Sequence, residues 1–157
     1  MTPRIAIPHD LFPAGIKAMT ALEAALHASG LDPVLLELVK LRASQINGCA
    51  FCIHMHATFL RTHDVAEMKL YMLDAWREST IYTDRERAAL GWTEALTRLA
   101  ETRAPDADYE ALAAQFAEVE QVQLTLAIGA INTWNRLQVG FRVAHPVDAA
   151  EADRAAG

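Results

Sequence analysis

Asp32-Pro33-Val34-Leu35-Leu36-Glu37-Leu38-Val39-Lys40-Leu41-Arg42-Ala43-Ser44-Gln45-Ile46-Asn47-Gly48-Cys49-Ala50-Phe51-Cys52-Ile53-His54-Met55-His56 is the stretch that decides the fold. Asp32-Pro33 is an N-cap followed by a proline at the first helical position, where a missing N–H costs nothing. Behind it Val34, Leu35, Leu38, Val39 and Leu41 keep helical spacing, and Asn47-Gly48 is a C-terminal stop pair. A second helix starts at about Cys49 and runs through Phe59 and Leu60 to about His63.

The same pattern extends on both sides. From Phe12 to Ser29 the positions Ile16, Met19, Leu22 and Leu26 are apolar, and Gly30 closes the segment. Val65 to Trp76 is a helix with Met68, Met72 and Leu73. Thr83 with Glu86 is a capping box opening a helix that carries Leu90, Leu96 and Leu99. Asp106 or Asp108 caps a shorter one with Tyr109, Leu112 and Phe116. The longest runs from Val119 to about Ala144, and its middle, Leu124 to Ile131, is apolar nearly all round, which predicts burial on most sides. Neither β alternation nor an internal repeat is visible. The expected fold is all-α, about seven helices in a single domain over 1–145, with the Cys pair at the N-terminus of a central helix. The Ala, Asp and Glu of 146–157 predict a frayed tail.

Composition excludes several functions. The 157 residues are one domain's worth, 52% apolar and 22% charged, the balance of an ordinary globular chain. Fourteen Lys and Arg against twenty Asp and Glu give a net charge of −6, unlike a nucleic-acid binder. No apolar run approaches a membrane span, and Met1-Thr2-Pro3-Arg4-Ile5 lacks a secretory h-region. Two cysteines do not make a disulfide scaffold, so a cytoplasmic protein is expected. Met55, Met68 and Met72 are expected as core filler, Trp76, Trp92 and Trp134 as core or subunit-contact anchors, and His54 and His63 at the surface or an interface.

The chemistry gathers at the two cysteines. Cys49-x-x-Cys52 follows a helix stop and so falls in the first turn of the next helix, where unpaired N–H groups and the helix dipole favour a thiolate. At about 100° per residue, Cys52 lies roughly 300° and His56 roughly 340° round from Cys49, so the three share a face. An imidazole there can take or return a thiol proton. Glu37 precedes Cys49 by twelve residues on the preceding helix; spacing alone does not set whether a helical hairpin brings it to His56. A zinc site of Cys49, Cys52 and His56 with His54 or His63 is a rival. Against it, His54 points roughly 140° away and His63 lies about 10.5 Å further along the axis than His56. Two inert buried thiols are a third reading.

Glu37, then Cys49-x-x-Cys52, then His56 resembles the signature of the AhpD-type alkyl hydroperoxidases, in the wider group that includes the carboxymuconolactone decarboxylases. Arg42-Ala-Ser-Gln-Ile-Asn-Gly-Cys-Ala-Phe-Cys-Ile and Asn132-Thr-Trp-Asn-Arg136 are similar to its small single-domain members. The resemblance covers residues 20 to 100 and, more loosely, the last helix. It implies a helical homo-oligomer, a trimer or hexamer, with a thiol peroxidase cycle and neither metal nor flavin cofactor. Cys52 would attack the hydroperoxide, Cys49 would resolve, and His56 with Glu37 would relay the proton. A dithiol carrier, lipoyl or thioredoxin-like, would restore the thiols. Some such peroxidases carry a His between the cysteines, where this chain has Ala50 and Phe51. A lyase using His56 and Glu37, or a redox sensor without turnover, are the alternatives.

Overall fold

Proline placement starts three of the first helices. Pro8, Pro13 and Pro33 each stand in the first turn of a helix, at Pro8–Leu11 (α1), Pro13–His27 (α2) and Pro33–Ile46 (α3). Then come Ala50–Thr62 (α4), Glu67–Tyr71 (α5), a 3₁₀ turn at Met72–Ala75, Asp84–Thr97 (α6), Leu99–Thr102 (α7), Asp106–Ala113 (α8) and Glu118–Phe141 (α9). This computed structural model describes residues 2–145, so the expected tail at 146–157 lies outside the described residues. Among the described residues there is no strand, and the all-α expectation holds. No helix is long and apolar enough to cross a membrane.

The helix at the centre is α3. Every residue from Leu35 to Ser44 is buried, and α3 packs on α4, α6 and α9. Its Asp32 cap forms as expected, the carboxylate accepting the Val34 N–H at 2.9 Å. Leu35, Leu36 and Val39 face a core shared with α6, α8 and α9, while Leu38 and Leu41 face a second one built from Leu60, Leu73, Trp76 and Leu90. A third, small cluster joins Ala43, Cys49, Cys52 and Ile131 where α3, α4 and α9 meet.

Several expectations need correction. The helix expected over Val65–Trp76 is α5 followed by the 3₁₀ turn. Leu70, Leu73 and Trp76 are the buried positions, a three-residue period that a 3₁₀ turn aligns more closely than an α-helix, where it drifts by about 60° per step. The Tyr82 hydroxyl also donates to the Lys69 carbonyl that a continuing helix would have used. Leu99 belongs to α7, because α6 stops at Thr97 and Thr102 Oγ1 takes the Ala95 carbonyl at 2.6 Å. Neither Asp106 nor Asp108 is a cap; Pro105 holds that position, and both aspartates sit in the first turn of α8, favourable to the helix dipole. The Thr83–Glu86 capping box is present. α9 ends at Phe141, with Arg142 in the left-handed region. One face of α9 is buried through Leu124, Ala127, Ile128 and Ile131, but Val119, Val122 and Leu126 are exposed, so the helix is covered on one side only. Met55, Met68 and Met72 are likewise exposed rather than core filler; Met55 lines a cavity described below.

Candidate active site

The turn from α3 to α4 delivers the thiols. Asn47 caps α3, and Gly48 adopts φ +64°, a conformation open to glycine at little cost. The Gly48 N–H donates to the Gln45 carbonyl at 3.1 Å and the Cys49 N–H to the Ser44 carbonyl at 2.9 Å, the paired bonds of a Schellman motif. The second bond makes Cys49 the N-cap of α4, so one helix ends directly into the next. Cys49 Sγ accepts the Cys52 N–H at 3.4 Å, in the role a serine oxygen plays elsewhere. Both cysteines are 1% exposed, and their sulfurs stand 2.8 Å apart as free thiols.

These contacts couple the two ionisations. The Cys52 S–H donates to Cys49, and with the Cys52 N–H it outweighs burial and brings the Cys49 thiol down from 9.0 to about 7. The same hydrogen bond, burial and the Cys49 charge push Cys52 far up. The pair therefore loses one proton readily and retains the other between the sulfurs. Asn135, buried on α9, pulls both thiols down through its amide. It is fixed by bonds to Ser44 Oγ at 3.1 Å and from Asn47 Nδ2 at 2.9 Å.

The hairpin does bring Glu37 to His56. Glu37 Oε2 is 2.6 Å from His56 Nδ1, with both side chains buried. A carboxylate at that distance fixes a proton on Nδ1, so Nε2 is the ring nitrogen left to exchange protons. His56 Nε2 is buried with no hydrogen-bond partner, so the imidazole is on the expected face but touches neither sulfur. Lys40 Nζ donates to Glu37 Oε1 at 3.1 Å and to Glu23 Oε2 at 2.8 Å, and Trp134 Nε1 donates to Glu23 Oε1 at 3.1 Å. Burial pushes the Glu37 carboxyl up, but His56 and then Lys40 outweigh it and hold it below the usual range.

Cys52, His56 and Glu37 open together into a cavity of about 390 Å³. Phe51, Met55, Phe59, Ile131 and Trp134 form apolar walls, with His9, His27 and Gln138 adding polar atoms. That is the size and character of a small-molecule site. Cys49 does not line it. His54 lies beside His145 and His63 stacks on Phe59, away from the thiols. Among the described residues no three His, Cys, Asp or Glu side chains gather as a metal-binding group.

Lys40, Glu23, Trp134 and Asn135 escaped the reading of the sequence. Lys40 had a signal, a cation inside the apolar run Val34–Leu41. Asn132 and Asn135, polar at i and i+3 directly after the apolar stretch Leu124–Ile131, had another. Glu23 had none, and nothing local pairs it with Trp134, which it meets across 111 residues of chain.

The profile of the carboxymuconolactone decarboxylase family matches 13–95. The uncharacterized Bacillus subtilis protein YdfG is 37% identical over 85% of this chain and 90% of its own. A crystal structure of an Agrobacterium tumefaciens protein of unknown function, described as a candidate AhpD antioxidant defence protein, is 49% identical. It superposes with a TM-score of 0.89 over 94% of this chain and all of that one. An uncharacterized peroxidase-related protein of Ralstonia eutropha, an AhpD core, shares the fold at 19% identity and TM-score 0.77, over 93% of this chain and 78% of its own.

Proposed function

The chain belongs to the carboxymuconolactone decarboxylase family, in its AhpD-like branch, and on that premise we propose that it is a thiol peroxidase reducing hydroperoxides through a Cys49–Cys52 disulfide. The observation that carries this reading is the shared cavity. It gathers one thiol of a coupled pair and an unpartnered imidazole nitrogen against apolar walls that suit an organic hydroperoxide.

The proposed steps balance. His56 Nε2, held in its acceptor tautomer by Glu37, takes the first proton of the pair across the cavity. The remaining proton moves between sulfurs 2.8 Å apart onto Cys49, leaving the Cys52 thiolate facing the substrate. That thiolate attacks the terminal peroxide oxygen and the O–O bond breaks. The His56 imidazolium protonates the departing alkoxide, and Cys52 is left as a sulfenic acid. Cys49 condenses with it, forming the disulfide and releasing water. A dithiol, lipoyl or thioredoxin-like, returns two electrons.

The reading extends to a homo-oligomer, trimer or hexamer, in a reducing cytoplasm. The uncovered stripe Val119, Val122 and Leu126 on α9, with Met68, Tyr71 and Met72, is apolar surface of the kind that subunit contacts cover. A lyase working through His56 and Glu37 would use the same cavity without the thiols. Peroxide consumption with added dithiothreitol, compared between the parent and Cys52→Ser, tests the proposal. Consumption by the parent and none by the variant is expected; equal rates would contradict it.

A further inference from the structure

Among the described residues two buried side-chain atoms lack a hydrogen-bond partner, His56 Nε2 and Gln138 Oε1. Both residues line the same cavity of about 390 Å³. The peroxidase steps use the first of these atoms and leave the second idle. Gln138 closes the stripe Ile131, Trp134 and Gln138 that α9 contributes to the cavity wall, and it is 4% exposed. Its amide nitrogen is 3.3 Å from His9 Nε2, and the His9 ring stands edge-on to Trp134 at 5.8 Å. The amide is therefore held by its nitrogen end, and the oxygen is left over. The charged groups of the wall are spent on one another, Lys40 on Glu23 and Glu37, and Glu37 on His56. A buried carbonyl oxygen without a partner is costly, and a donor on a bound molecule removes that cost.

We infer that the substrate is an organic hydroperoxide with a second polar group, a hydroxyl or N–H that donates to Gln138 Oε1, separated from the peroxide by an apolar body. The inference rests on the peroxidase reading, which seats the peroxide at Cys52 and His56. A simple alkyl hydroperoxide has no donor left for Gln138 once its O–O–H is at the thiol. Phe51, Phe59 and Trp134 supply aromatic wall for the body between. Gln138 also borders a smaller hollow beside Cys49, but Phe59 and Trp134 line only the larger cavity. Gln138 is thus a specificity residue that acts in binding. A site built to hydrogen-bond a hydroxyl rejects the analogue without one, because its own buried group is then left unpaired.

Cumyl alcohols, the products left when cumene hydroperoxides are reduced, test this recognition without a redox step. Calorimetry compares 3-hydroxycumyl alcohol with its 3-methoxy ether, which keeps the oxygen and loses the donor. The parent is expected to bind the hydroxyl compound about tenfold more tightly, the scale of one buried hydrogen bond. Gln138→Met, close in volume, should bring the ratio to about one, whereas Gln138→Glu, which still accepts, should keep it. The matching hydroperoxides should show the same ratio in KM, with kcat alike within about twofold. Equal binding of the two alcohols by the parent, tighter binding of the ether, or a ratio that survives Gln138→Met would overturn the inference. A parent that binds with the expected ratio, yet keeps its thiols in the presence of either hydroperoxide, would sink the peroxidase reading and leave the recognition standing.

Discussion

Glu37 and Glu94 are both carboxylates buried within the bundle, and both are held below the usual carboxylate range against their burial, yet their networks end differently. Glu94 Oε1 accepts from Arg42 Nε at 2.8 Å and Trp76 Nε1 at 2.9 Å, while Arg77 covers Oε2. Arg42 is also bound to Asp74, and no buried side-chain atom of that group lacks a partner. Glu37 is as well supplied, by Lys40 and His56, but its chain of contacts ends on a buried imidazole nitrogen with no partner, in a residue that lines a cavity together with Cys52. A satisfied network holds elements together; a network that ends in one unpaired atom at a cavity is poised to move a proton. The position of the unpaired atom separates structure from chemistry here, since burial and pKa direction are alike.

Substitutions should break that comparison in opposite ways. Cys52→Ser should remove peroxide-driven disulfide formation altogether, measured by thiol titration after one equivalent of peroxide. His56→Ala should slow peroxide attack by about 10²–10⁴-fold, the contribution of a positioned acid–base group, with Glu37→Gln giving a smaller loss. Stopped-flow rates within a factor of two of the parent from pH 6 to 8 would remove the relay. Glu94→Gln should reverse the pattern, leaving the rate nearly unchanged but lowering stability by about 3 kcal/mol, because Arg42 keeps Asp74 yet loses its buried partner. Urea unfolding reads that loss, and a stable but inactive variant would show that the two networks are not separate.

A subtler difference lies in pH. With the Cys49 thiol brought down to about 7, iodoacetamide trapping of the reduced protein should rise with a midpoint near pH 7 rather than near 9. By linkage, a thiol lowered in the folded state adds stability that is complete above its unfolded value of 9.0 and fades as pH falls through about 7. Asn135→Ala should move the trapping midpoint up. An unchanged midpoint would remove Asn135 from the thiol site.

Much of this was readable because it is local. The Asp32 cap, the Asn47-Gly48 stop, the thiols in the first turn and the shared face of Cys52 and His56 all depend on residues within a few positions of each other. What sequence did not give is what long-range packing decides. The Glu37–His56 contact depends on how α3 crosses α4, and Lys40 reaches Glu23 across 17 residues. Asn135 meets Ser44 across 91. The break after α5 needed the knowledge that Leu70, Leu73 and Trp76 are the buried set. The one-sided burial of α9 misled for a related reason: an apolar stretch does not say which of its faces the same chain will cover.

The central claim is that these two thiols and the Glu37–His56 pair form one redox unit, and a single titration addresses it most directly. Reduced protein receives one equivalent of hydroperoxide; free thiols are counted, bound zinc is assayed, and the peptide holding Cys49 and Cys52 is weighed. The account predicts that both thiols disappear together and that the peptide becomes lighter by two hydrogens, in protein free of metal. Thiols that survive the peroxide, or stoichiometric zinc released only on unfolding, would contradict it.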